Sequence, residues 1–375
     1  MAAPYWAWWR ELRPLAERLH LDTAAAGRSS VATLRATAGH AEREAKVGGY
    51  VAKAEAAPVL EEGRAAIGAL MGVPAGGVAF VESATAALYM LLEVWPLRFG
   101  DKVALLPSEW EPNRHLFEHR GYEIVPLAAE PGGLLDLSAL ERLLGSEQRP
   151  ALVHLTQVAS HRPLVQPAAE AAALCRDAGV PLWVDAAQAV GHVDAASGAP
   201  VVYATSRKWL TGPRGVGMIG IASAWWERLR ISAPDLERDG MPPNSSPVLL
   251  LESAEAHVAG RVGLANAVRE FLDAGPETVR QRLAAVGRLT REALAGLPGW
   301  EVVPPAGPDV AITALRPLNG QDVATERQRL LAEHGIVTTA GAVARAPLDM
   351  SGPLLRVSPH VDCTPDDLLR LRAAL

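Results

Sequence analysis

The chain has 375 residues, room for more than one domain, since single domains usually run about 100–200 residues. Its 36 basic and 42 acidic residues leave a net charge of −6, which gives no electrostatic ground for binding nucleic acid or an anionic membrane. Only two cysteines occur, Cys175 and Cys363, so a disulfide framework or a zinc site is not expected and a reducing, cytoplasmic setting is. The opening stretch is interrupted by Arg10, Glu11 and Arg13 and lacks a signal-peptide core, and no run of about 18 apolar residues offers a transmembrane helix.

Short apolar runs follow in order as predicted strands: GVAFVES (77–83), KVALLP (102–107), EIVPL (123–127), ALVHLTQ (151–157), PLWVDAA (181–187), VVYATS (201–206) and VGMIGIA (216–222). Several are continuously apolar, the pattern of strands covered on both faces. Helical stretches lie between them, such as PAAEAAALCRDAG (167–179), opened by proline and closed by glycine. This alternation predicts a three-layer α/β domain with a mainly parallel sheet, whose ligands gather at the carboxyl ends of the strands. The proline-rich stretch 231–250 reads as a linker or a loop over a site. Beyond it come two long helices, near 252–273 and 276–296. Strand DVAITAL (309–315), a helix near 321–334, and strands GIVTTA (335–340) and LLRVSP (354–359) follow. The chain therefore divides into a large domain with an N-terminal arm, 1–250, and a smaller α+β domain, 251–375.

The chemistry centres on SRKWLTGPRGVG (206–217). Asp185 closes one strand and Lys208 follows the next, so parallel neighbouring strands bring carboxylate and amine to one edge of the sheet. A carboxylate there keeps a pyridine nitrogen protonated and a lysine forms a Schiff base with an aldehyde, the two protein groups that pyridoxal phosphate requires. VESATAAL (81–88) ends a strand and opens a helix, so the amides of Ala84 and Thr85 and the Thr85 hydroxyl can meet an anion. Thr205 and Arg207 offer a second hydroxyl and a fixed positive charge. Trp110, in SEWEPNRH (108–115), stands where an aromatic plane could cover the pyridine ring.

DAAQ followed by SRKWLTGPRGVG resembles the class V branch of the fold-type I pyridoxal-phosphate enzymes, which includes the cysteine desulfurases and kynureninases. The likeness runs from LHLDTAAAG (19–27) to LLRVSPHVDCTPDDL (354–368). Within the branch it is nearest to the hercynylcysteine sulfoxide lyases of ergothioneine biosynthesis, through AKVGGYVAKAEAAPVL (45–60), ALVHLTQVASHRPLVQPAAE (151–170), GIVTTAGAVARAP (335–347) and RVSPHVD (356–362). The resemblance implies Lys208 as the cofactor lysine, Asp185 as the pyridinium aspartate and Gln188 as the partner of the phenolate oxygen. It implies Trp110 as the stacking residue, and Ala84, Thr85, Thr205 and Arg207 as phosphate contacts. Arg261 occupies a place where the family often reaches the phosphate of a partner subunit, and it reads equally as a helix-surface residue. A homodimer with shared sites is implied as well. His154 and His192 read as structural.

An amino-acid substrate needs a bidentate partner for its carboxylate, and arginine has that geometry. The arginine of the cysteine desulfurases is missing from GIVTTAG, which leaves Arg356 and Arg345 as candidates, with Arg356 favoured. Gln157 stands ready to touch the cofactor oxygen or the substrate carboxylate. Residues 335–353 contain no cysteine to accept a persulfide, so β-elimination from a cysteine sulfoxide conjugate is expected over desulfuration. Its products are pyruvate, ammonia and a sulfenic acid. Two other readings stay open: a class V aminotransferase or epimerase of a small amino acid, and a cofactor-bearing protein without turnover.

Overall fold

A computed structural model describes residues 5–231, 246–253 and 255–375. Seven strands form the main sheet in the spatial order Val78–Val81, Gly217–Ile221, Val201–Thr205, Leu182–Asp185, Leu152–Thr156, Lys102–Leu105 and Glu123–Pro126. The last five are mutually parallel, while Gly217–Ile221 runs antiparallel to both its neighbours. Each predicted strand of the first two-thirds is present, shortened by a residue or more.

Alternate residues of these strands feed two apolar cores, one on each face. Phe80, Val153, Leu155, Val184 and Met218 join helices Gly49–Met71, Ala168–Asp177 and Val258–Asp273. Val81, Val103, Trp183, Val201 and Ile219 join helices Ala84–Val94 and Glu111–His119. Burial on both faces explains the unbroken apolar runs, and the covering helices supply the crossovers that parallel strands need.

A second, antiparallel sheet has the order Thr339–Gly341, Leu354–Val357, Thr313–Pro317 and Trp300–Val302. Its core draws on Leu315, Leu330, Leu355 and Leu371, and also on Leu21 from the N-terminal arm. Three sequence expectations change here. The single strand 335–340 is divided, because Ile336–Val337 pairs in parallel with Leu19–His20 while Thr339–Gly341 joins the second sheet. Residues 310–312 are not strand but pack into the core of the large sheet, where Arg291 donates to the Val310 carbonyl at 3.1 Å. Helix Val258–Asp273 starts later than read, and it packs with Gly49–Met71 in the larger core rather than with the second sheet. Of the expected loop at 231–250, residues 232–245 lie outside the described residues. No helix among the described residues is long and apolar enough to cross a membrane.

Candidate active site

The parallel pairing of Leu182–Asp185 with Val201–Thr205 sets Asp185 opposite Tyr203, so the chain leaving the second strand reaches Lys208 beside that carboxylate. The Asp185 carboxylate is buried and held on two sides. Its Oδ1 accepts from the Ala187 amide at 2.8 Å and its Oδ2 from Asn113 Nδ2 at 2.9 Å. Lys208 is half-buried, and its amine is pushed down to about 7. Burial is the main cause; the Asp185 charge opposes it, and Arg207, Arg356 and Arg345 add to it. Near neutral pH much of this amine is unprotonated, the state that attacks an aldehyde or takes up a proton.

Glycine is required at two contacts here. A Cβ on Gly27 would come within 2.5 Å of the Lys208 carbonyl oxygen and 2.8 Å of Thr211 Cγ2; Gly27 N itself donates to the Arg207 carbonyl at 2.7 Å. The N-terminal arm is thereby laid against the lysine segment. A Cβ on Gly217, the register partner of Thr205, would meet Ser83 Cα at 2.8 Å. That close approach brings the start of helix Ala84–Val94 alongside Thr205. Ser83 caps the helix by accepting from Ala86 N at 3.0 Å, and the amides of Ala84 and Thr85 belong to the same first turn, where helices leave donors without internal partners. Thr85 is exposed, and the buried Thr205 hydroxyl has only a long 3.5 Å contact to the Val216 carbonyl.

The surroundings are rich in positive charge. Arg207 is depressed by burial and then by Arg214 and Arg356, and Arg345 by burial and then by Arg356. Arg356 is buried on Leu354–Val357, where Nη1 donates to the Ser160 carbonyl at 2.7 Å and Nη2 to Asp22 at 2.9 Å; its Nε has no partner. Two guanidiniums depressed in part by Arg356, and an unpaired buried N–H on Arg356 itself, make a site short of anions. These residues fit a cofactor phosphate together with a substrate carboxylate.

Other predicted residues are placed differently. Gln188 is buried, donating to the Ala24 carbonyl at 2.9 Å and accepting from Trp209 Nε1 at 2.8 Å, which leaves one of its N–H bonds uncommitted. Gln157 spends its Nε2 on the Asp194 carbonyl at 2.7 Å, and its buried Oε1 has no partner. What remains open on that side is an acceptor, which suits a donor and not a carboxylate. Arg261 is neither at the helix surface nor among the charges acting on Lys208: it is buried against Glu252 at 2.8 Å and the Phe80 carbonyl at 3.3 Å. Trp110 caps helix Glu111–His119 with its indole partly exposed, and the Arg345 guanidinium lies over the ring at 5.7 Å. Sequence reasoning missed Asn113 and Asp22, whose roles depend on pairings across 72 and 334 positions.

The model of the aminotransferase class-V family matches residues 19–371. The chain belongs to that family. It is 46% identical over 369 residues to the probable hercynylcysteine sulfoxide lyase of Mycobacterium tuberculosis, covering 98% of this chain and 92% of that one. Among solved structures, the cysteine desulfurase CsdA of Escherichia coli superposes with a TM-score of 0.83 at 22% identity, over 98% of this chain and 97% of that one. A mutant of C-DES with glycine covalently linked to its pyridoxal-phosphate cofactor gives 0.83 at 18%, over 97% and 98%. These two share the fold. The protein is thus a pyridoxal-phosphate-dependent enzyme of the carbon–sulfur lyase type.

Proposed function

We propose that the protein cleaves the Cβ–S bond of a cysteine sulfoxide conjugate, hercynylcysteine sulfoxide, by β-elimination, in a cytoplasmic homodimer serving ergothioneine biosynthesis. Water and substrate give pyruvate, ammonia and an imidazole sulfenic acid. Pyridoxal phosphate, when bound, supplies the electron sink for the Cα carbanion. Lys208 holds the aldehyde at rest and takes the Cα proton during turnover, for which a pKa of about 7 suits it. Asp185 holds the ring nitrogen protonated. The electron pair of the Cβ–S bond leaves on sulfur, and the oxygen on that sulfur makes it a better leaving group than a thiolate.

The state of the cysteines carries this reading over sulfur transfer. A persulfide acceptor is a reachable thiolate. Cys175 is buried and its thiol is pushed up by burial to about 12; Cys363 is buried and raised by burial and then by Asp367 and Asp362. The chain has no third cysteine. Incubation with hercynylcysteine sulfoxide should release pyruvate stoichiometrically without an added keto acid. Alanine in place of pyruvate would point to desulfuration instead, and a requirement for a keto acid to transamination.

Arg356→Ala should raise KM for the amino-acid substrate at least about tenfold while the protein still takes up cofactor, because it removes a charge-assisted carboxylate pair. Arg345→Ala serves as the comparison. If steady-state kinetics give the large KM effect to Arg345→Ala and none to Arg356→Ala, the two assignments must be exchanged.

A further inference from the structure

Two arginines stand on one face of the second sheet. Thr339 pairs with Arg356 and Gly341 with Leu354 across strands Thr339–Gly341 and Leu354–Val357, so Arg356, Thr339 and Gly341 address the same side. Thr339 Oγ1 accepts from Arg356 Nη2 at 3.2 Å and donates to Asp22 Oδ1 at 2.6 Å, which fixes the inner guanidinium. Gly341 lies two residues along, about 7 Å by strand rise, and Arg345 occupies the space its missing side chain leaves. A Cβ on Gly341 would stand 3.7 Å from Arg345 Cδ and 3.8 Å from its Nε. The Arg345 guanidinium then reaches over the Trp110 ring at 5.7 Å. Arg345 is therefore the outer of the two, half-buried where Arg356 is buried, and it presses on the Lys208 amine less than Arg356 does.

What Arg345 lacks is an anion. Among the described residues it has no hydrogen-bond or ion-pair partner, only the face of Trp110. Asp22 acts on it from a distance, but that carboxylate is already bonded to Arg356 and Thr339. Other partly buried arginines of the chain are matched: Arg64 by Glu252, Arg162 by Asp349 and Arg291 by Asp309. Withdrawing a guanidinium from water without a partner costs free energy, and a bound anion recovers it. Beside Arg345 the chain leaves a cavity of about 350 Å³, which Thr339, Gln328 and Arg327 also line. Arg327 spends its Nε on the Thr338 carbonyl at 3.3 Å, and no carboxylate among the described residues pairs with it. The cavity thus presents two guanidiniums and an amide, and among the described residues no acidic side chain lines it.

We propose that Arg345 holds a second carboxylate of the substrate, at the end remote from the amino acid, and that Arg327 adds to the field that draws it into the cavity. The inference rests on the substrate class proposed above. Hercynylcysteine sulfoxide carries one carboxylate on the cysteine carbon that loses its proton and another at the betaine end, with sulfur and the imidazole ring between them. The first must lie by Lys208, which suits the inner arginine, Arg356. The second is then left for the outer one, Arg345, beside Trp110. A forked guanidinium with no protein bond to break can take a carboxylate on two N–H groups. Simple cysteine sulfoxides present nothing to it, so Arg345 acts as a specificity residue and has no part in breaking the Cβ–S bond.

The test compares hercynylcysteine sulfoxide with the same conjugate built on N,N,N-trimethylhistamine, which lacks only the second carboxylate, by pyruvate release from the cofactor-loaded enzyme. The unaltered enzyme should favour the full substrate at least about tenfold in kcat/KM. Arg345→Ala should bring the two compounds within about twofold of each other, by raising KM for the full substrate with kcat little changed. Arg345→Lys, which keeps the charge and loses the fork, should fall between. Arg356→Ala should weaken both compounds alike and keep the preference. A merely structural fault would lower both rates without regard to the second carboxylate. Unaltered enzyme without a preference, or Arg345→Ala that retains it, would overturn the proposal and leave the substrate reading intact. Pyruvate from neither compound would overturn the substrate reading, and this assignment with it.

Discussion

Replacing Lys208 by alanine is expected to give a folded protein whose turnover falls by at least roughly a thousandfold, since one side chain both anchors the aldehyde and moves the Cα proton. Purified wild-type protein should absorb in the near-visible, and borohydride followed by peptide mapping should find the cofactor on Lys208. Label on any other lysine would remove the assignment. The substitution also has a stability signature in the cofactor-free protein. Burial, opposed by Asp185 and assisted by Arg207, Arg356 and Arg345, holds the folded amine at about 7 against 10.5 for the free side chain. Across that window the unfolded chain binds a proton that the folded chain does not, so this group makes stability rise with pH from about 7 to about 10.5. Lys208→Ala should flatten that rise in denaturant titrations over the same range. An identical slope in the two proteins would show that the amine is not depressed.

The main sheet was legible because its strands are buried on both faces, and Leu182–Asp185 and Val201–Thr205 declare themselves by apolar content alone. The pair Asp185 and Lys208 followed from the order of those strands. What escaped was decided by pairings across long sequence separations. Nothing local in GIVTTA shows that Ile336–Val337 leaves the second sheet to pair with Leu19–His20 from the other end of the chain. Arg356 could be proposed as a carboxylate partner, but its bonds to Asp22 and Ser160 could not. The helix-surface reading of Arg261 gave way for a related reason: a charged residue on a helix reads as exposed until the carboxylate that permits its burial, Glu252, is brought against it. His154 is buried and bonded as a structural histidine should be, but one histidine inside a strand carries no signal of its partners Glu109 and Tyr203.

Asp185→Asn is expected to retain cofactor and to lose roughly a hundredfold or more in kcat, with a much smaller change in KM, because the interaction grows as negative charge develops on the cofactor ring. The charge is only part of the loss. Asp185 Oδ1 accepts from Ala187 N and Oδ2 from Asn113 Nδ2, so both oxygens face donors. An asparagine there has one oxygen, and in either orientation its own NH2 meets a donor. The side chain must then turn away or leave a buried group unsatisfied, at a cost of about 1–3 kcal/mol. Asn113→Ala separates the two effects, since it removes one donor and keeps the carboxylate. Its loss in kcat should be clearly smaller than that of Asp185→Asn. Equal losses would mean that the position of Asp185, rather than its charge, carries the rate, and an unchanged kcat in Asp185→Asn would remove Asp185 from the chemistry.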